Sequence, residues 1–132
     1  RQRQMCIRDR DFDEYRRINE LIIAGERITD DIIVATGDNH KCYNNVVIAK
    51  AADTMLAMAG IEATFVVART SHSTVNISSR SHNAINVQGI MEKLGGGGHF
   101  NLAACQLRDC SVSQAQNKLI ETIMGELAPK ED

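Results

Sequence analysis

An α/β fold is predicted for this 132-residue chain: one small domain with a mixed β-sheet, helices packed against it, and a glycine-rich loop after the third helix. Three observations carry that prediction. Segments with apolar residues at helical spacing alternate along the chain with short β-branched runs, which interleaves helices and strands. Two of the strand-like runs are separated by a short polar tip, a hairpin spacing that adds an antiparallel pair to the sheet. Apolar residues make up 43% and charged residues 24% of the chain, with a net charge of −2, a balance that suits one ordinary core.

The first ten residues, RQRQMCIRDR, are rich in arginine without usable periodicity and read as a tail outside the domain, native or foreign. The domain itself is expected over residues 11–127, with 128–132 as a C-terminal tail. DFDEYRRINELIIA, residues 11–24, sets Phe12, Tyr15, Ile18, Ile22 and Ile23 at helical spacing behind an acidic first turn that suits the helix dipole. DIIVAT, residues 31–36, is β-branched and is followed by a polar turn from Gly37 to Lys41, so a buried strand ends there. A second helix begins near Asn44, carries Val47, Ile48, Ala51, Met55, Met58 and Ala59 inward, and meets Gly60 where a left-handed C-cap belongs.

IEATFVVAR and STVNISSRS then read as two strands joined across Thr70 to His72. Period two places Val75 and Ile77 on one face of the second strand, and Asn76, Ser78 and Arg80 on the other. A third helix spans about Asn83 to Leu94 with Val87, Ile90, Met91 and Leu94 on one face. LAACQL, residues 102–107, is a strand by length. The last helix opens on a capping-box pair, Ser111 and Gln114, carries Val112, Ala115, Leu119, Ile123 and Leu127 inward, and ends before Pro129.

Composition removes several function classes. The slightly acidic charge gives no basic field for duplex nucleic acid, and aromatics at 4% without tryptophan supply no base-stacking platform. No run of about 18 apolar residues suggests membrane contact, and nothing resembles a signal peptide, so a cytoplasmic address is expected. Cys6, Cys42, Cys105 and Cys110 are irregularly spaced without a C-x-x-C or clustered histidines, and read as reduced thiols, with Cys105 packed in its strand.

The informative stretch is IMEKLGGGGHFNLAA, residues 90–104. Four consecutive glycines forgo roughly 2–4 kcal/mol relative to alanines in a regular element. On glycine count alone, a helix C-cap running into a linker is the plainer reading. The alternative is a bare loop, with at least one residue at positive φ, whose N–H groups converge on an anion together with Arg80. His99 directly after the glycines favours it, because a histidine there can donate to phosphate, and the Arg80 guanidinium fork suits phosphate too. His40, His72 and His82 read as surface or locally satisfied residues. The pattern is neither G-x-x-x-x-G-K-[ST] nor G-x-G-x-x-G.

NISSRSHNAINVQGIMEKLGGGGHFNLAACQL resembles the signature of the DHH-associated domain, the C-terminal half of DHH-family phosphoesterases. YNNVVIAKAADTMLAMAGIEATFVVAR and SVSQAQNKLIETI extend the resemblance to the cyclic-di-AMP phosphodiesterases of that family, membrane-anchored proteins of Gram-positive bacteria, over about Asp11 to Leu127. The resemblance implies a substrate-binding half whose partner, an N-terminal DHH domain, holds two manganese ions and performs the hydrolysis. Its ligand would be a cyclic dinucleotide or a short phosphodiester, its setting the cytoplasmic side of an anchored protein, and this chain alone would bind no metal and be inactive. Carried over position by position, the substrate contacts would be Arg80, Ser81, Gly96, Gly97, Gly98 and His99, with Asn86 weaker. His82-Asn83 and Phe100-Asn101-Leu102 depart from the family pattern. Two other readings stand beside this one: an RNA-associated domain like that at the C-terminus of alanyl-tRNA synthetases, and a stand-alone nucleotide sensor.

Overall fold

The computed structural model describes residues 2–127, with side chains described from residue 12 onward. Six strands form one sheet in the order β1-β2-β3-β4-β6-β5. These are β1 (Gly25–Thr29), β2 (Ile32–Thr36), β3 (Ala63–Ser71), β4 (Thr74–Ser81), β5 (Gly97–His99) and β6 (Leu102–Arg108). The helices are α1 (Gln2–Ile23), α2 (Asn45–Leu56), α3 (Val87–Lys93) and α4 (Val112–Leu127). β2 and β3 are parallel, with α2 as their crossover, and every other pair is antiparallel. The sheet is therefore mixed, as the sequence predicts.

Each face of the sheet has its own core. Val34, Phe65, Val67, Val75, Ile77 and Cys105 pack under α3 and α4, which contribute Ile90, Met91, Leu119 and Ile123. Ile33, Ala35, Val66 and Ala68 pack on the opposite face under α1 and α2, which contribute Leu21, Val47, Ile48, Ala51 and Met55. Small side chains on α2 let its axis approach the strands closely. Alternation along β4 follows the predicted pattern, with Val75, Ile77, Ser79 and Ser81 buried and Asn76, Ser78 and Arg80 half-buried.

Several expected boundaries move. α1 continues back to Gln2, because glutamine, arginine and methionine are good helix formers once a nucleus exists. It buries Leu21, while Phe12 and Tyr15 are 61% and 64% exposed and Ile23 is exposed too. α2 ends at Leu56 with Ala57 as its cap, so Gly60 at φ +82° belongs to the following turn and not to the cap. Met58 is consequently exposed. β1 was not expected; its GERIT sequence is polar and it forms an edge. The hairpin tip is His72-Ser73, since Ser71 still pairs with Thr74. α3 starts at Val87, with Asn86 as N-cap. In α4 the capping box forms, with Ser111 N donating to Gln114 Oε1 at 2.9 Å and Gln114 N to Ser111 Oγ at 3.1 Å, but Leu127 is exposed. Pro129 lies outside the described residues. Among those residues, no helix is long and apolar enough to cross a membrane.

Cys105 is buried, and burial pushes its thiol up to about 11, whereas Cys42 is exposed. Since the thiolate is the nucleophile, iodoacetamide at pH 8 should label Cys42 in the native chain and reach Cys105 only after denaturant is added, as read by mass spectrometry. Equal labelling of both in native buffer would contradict this packing.

Candidate functional site

The glycine run does not form a loop. Gly95 and Gly96 close α3: Gly95 N donates to Glu92 O at 3.1 Å and Gly96 N to Met91 O at 2.8 Å. With Gly95 at φ +92°, these bonds make a Schellman cap that satisfies the last carbonyls of the helix. Gly97 to His99 then form β5, the edge strand paired with β6. A Cβ on Gly96 would lie 2.1 Å from Ala104 O, and one on Gly98 2.4 Å from Leu102 O. Both glycines are bare so that β5 can approach β6. The expectation of positive φ holds at Gly95 and Gly98, but the N–H groups of Gly95 and Gly96 are committed to the helix and are not offered to an anion.

Gly97 differs, for a Cβ there would meet nothing within 4 Å. It pairs with Ala104, which pairs with Ser78 on β4. In the adjacent row, Arg80 pairs with Leu102 and Leu102 with His99. Directly paired residues place their side chains on the same face, so Arg80, Leu102, His99, Ala104 and Gly97 share one surface. α2 covers that face over β3 but not over β6, where Leu102, Ala104 and Gln106 are exposed. With strands about 4.8 Å apart, the Cα atoms of Arg80 and His99 are about 10 Å from one another. Leu102, 50% exposed, stands between them, and Phe100, 41% exposed, sits at the turn joining β5 to β6.

Arg80 is held from two sides. Its Nε donates to Asp53 Oδ1 on α2 at 2.8 Å and its Nη1 to Ser79 O at 2.9 Å. Nη2 has no hydrogen-bond partner among the described residues.

The remaining predicted residues are used differently. Ser81 is buried on the opposite face, and its Oγ donates to Phe100 O at 3.2 Å. Asn86 caps α3, accepting from Gly89 N at 3.3 Å. The two departures from the family pattern meet each other: Asn101 Nδ2 donates to Ser81 O at 3.1 Å and also to His82 O, pinning the β5–β6 turn to the end of β4. His82 Nε2 lies 3.3 Å from Leu56 O. Asp53 and Asn101 are the residues that sequence reasoning missed. Asn101 was visible as a departure, whereas nothing in ADTML singles out Asp53.

A cleft of about 490 Å³ lies elsewhere, between α1 and the segment entering α2, and is lined by Asp13, Glu14, Arg17, Cys42 and Tyr43 among others. None of the predicted residues line it. Arg17 is committed there, donating to Cys42 O at 3.0 Å and lying 5.5 Å from the Tyr43 ring centroid. Burial, reinforced by the Glu20 carboxylate, raises Tyr43 above the usual phenol range. Among the described residues, no group of three or more His, Cys, Asp and Glu is placed to hold a metal ion.

The DHHA1 domain model matches residues 29–128 of the chain. Cyclic-di-AMP phosphodiesterase PdeA of Listeria monocytogenes is 42% identical over 113 residues, which cover 86% of this chain and 17% of that protein. The chain thus spans less than a fifth of that relative's length. Among solved structures, an exopolyphosphatase-related protein from Bacteroides fragilis matches with a TM-score of 0.71 at 12% identity, over 85% of this chain and 34% of its own. The C-Ala domain of Aquifex aeolicus alanyl-tRNA synthetase matches with a TM-score of 0.57 at 16% identity, over 75% of this chain and 96% of its own. At such identities these two likenesses show the fold alone.

Proposed function

The chain belongs to the DHHA1 domain family, and from that premise we propose that it is the nucleotide-phosphate-binding half of a manganese-dependent phosphodiesterase acting on cyclic-di-AMP, with a separate DHH domain as its catalytic half. The observation that carries the proposal is the row Arg80–Leu102–His99 on an uncovered stretch of sheet. Arg80 donates from its unpartnered Nη2 to phosphate oxygens, and His99 donates from the other end of the row. Leu102 gives the sugar or base an apolar surface between them. Gly97 keeps the strand flat, so the ligand can lie against backbone. The relative PdeA, named as a cyclic-di-AMP phosphodiesterase, supports the choice of ligand. Manganese would be held by the DHH half, since the described residues offer no ligand set for it; this chain's part is to bind and orient.

The chain should therefore bind cyclic-di-AMP in a calorimetric titration and show no hydrolysis when manganese is added, as followed by chromatography of the nucleotide. Metal-dependent turnover by this chain, in a preparation free of contaminating hydrolase, would overturn the division of labour. The RNA-associated reading draws on the C-Ala likeness, and salt separates it from the first. A long RNA held through many phosphates loses affinity steeply between about 50 and 200 mM salt, by up to several orders of magnitude. A dinucleotide gripped at two points should not.

A further inference from the structure

We infer that Asp53 is a positioning residue for the Arg80 anion grip, an inference that rests on the phosphate-binding reading above. Arg80 and Asp53 belong to different layers, β4 and α2, and meet at 2.8 Å through Nε and Oδ1. Ser79 O takes one N–H of Nη1 at 2.9 Å. Two anchors on different atoms fix both the position and the plane of the guanidinium. What remains without a partner among the described residues is Nη2 and the second N–H of Nη1, which together form the end of the fork. That end can meet two oxygens of one phosphate side by side.

Asp53 exerts two opposed effects on a bound anion. It fixes a side chain with several rotatable bonds before the ligand arrives, which removes part of the ordering cost of binding. It also places a negative charge near the phosphate. The Asp53 side chain is 61% exposed while that of Arg80 is 12% exposed, so water and salt screen the carboxylate's repulsion. The hydrogen bond to Nε acts at contact distance and is not screened in that way. Positioning outweighs repulsion.

The test measures cyclic-di-AMP affinity in the 132-residue chain for Asp53→Asn and Asp53→Ala, each with Arg80 intact and with Arg80→Ala. Asp53→Ala should weaken binding about ten-fold, the order seen when one member of a coupled polar pair is removed. Asp53→Asn keeps an oxygen that accepts from Nε and should stay within about three-fold of the parent chain. With Arg80→Ala both replacements should be silent, an outcome that a general loss of structure would not produce. Asp53→Ser, too short to reach Nε, stands in if thermal melting shows that alanine unfolds the chain. Parent-like or tighter binding by Asp53→Ala, or equal losses for alanine and asparagine, would overturn the inference while leaving the phosphate site intact. Parent-like binding by Arg80→Ala alone would overturn the inference by taking Arg80 out of the grip, and the same result in His99→Ala as well would remove the site reading itself.

Discussion

Replacing Arg80 by alanine is expected to weaken cyclic-di-AMP binding about ten- to a hundred-fold, because a lost charge-assisted hydrogen bond costs about 1.5–3 kcal/mol. The fold should survive. Asp53, the ion-pair partner, has a side chain that is 61% exposed and is left in water rather than buried alone, so the loss to stability is about 1 kcal/mol or less. Arg80→Lys keeps the charge and removes the planar fork; an intermediate affinity would identify geometry as part of the grip. His99 is exposed on the edge strand, so His99→Ala should leave the melting temperature unchanged and weaken binding on a similar scale. Calorimetric titration checks all three. Parent affinity in both Arg80→Ala and His99→Ala would sink the site assignment.

Replacing Gly96 or Gly98 by alanine should destabilise the domain by about 3 kcal/mol or more, because overpacking against atoms that cannot move is among the costlier single changes. The colliding atoms are backbone carbonyls, Ala104 O at 2.1 Å and Leu102 O at 2.4 Å, not flexible side-chain ends. Gly98 adds a φ of +149°, which side chains rarely adopt. Gly97→Ala should behave in the opposite way. Its Cβ meets nothing in the structure, so the melting temperature should hold, while the added methyl stands where the ligand would approach and weakens cyclic-di-AMP binding. Thermal melts and titrations of the three variants separate structural glycines from the one that faces the site. Should Gly97→Ala melt low and Gly96→Ala melt as the parent does, the packing described between β5 and β6 would be wrong.

This division also explains how far the sequence could be read. The fold class, the mixed sheet, the two-faced β4 and the α4 capping box follow from periodicity and cap chemistry, which act over a few residues. β1 escaped because GERIT has no apolar alternation and becomes a strand only by pairing with β2. The glycines read as a loop in the sequence because nothing local distinguishes a loop from an edge strand; β5 exists because β6 lies alongside it. Phe12 and Tyr15 have helical spacing yet face solvent, since spacing gives a helix a face but does not say which face the sheet covers.

For the proposed site, side-chain chemistry legible in the sequence points to Arg80 and His99 as candidate phosphate contacts and to the bare backbone beside His99. Only the tertiary structure decided that Arg80, Leu102 and His99 share one row across three strands, that Ser81 points to the other face, and that Asp53 arrives from α2 to hold the arginine. The physical reason is range. Capping, turn chemistry and side-chain alternation are set by neighbours within about four residues and are written locally. The order of strands in a sheet and the reach of a helix across it are set by which apolar faces can be buried together, a property of the whole chain at once.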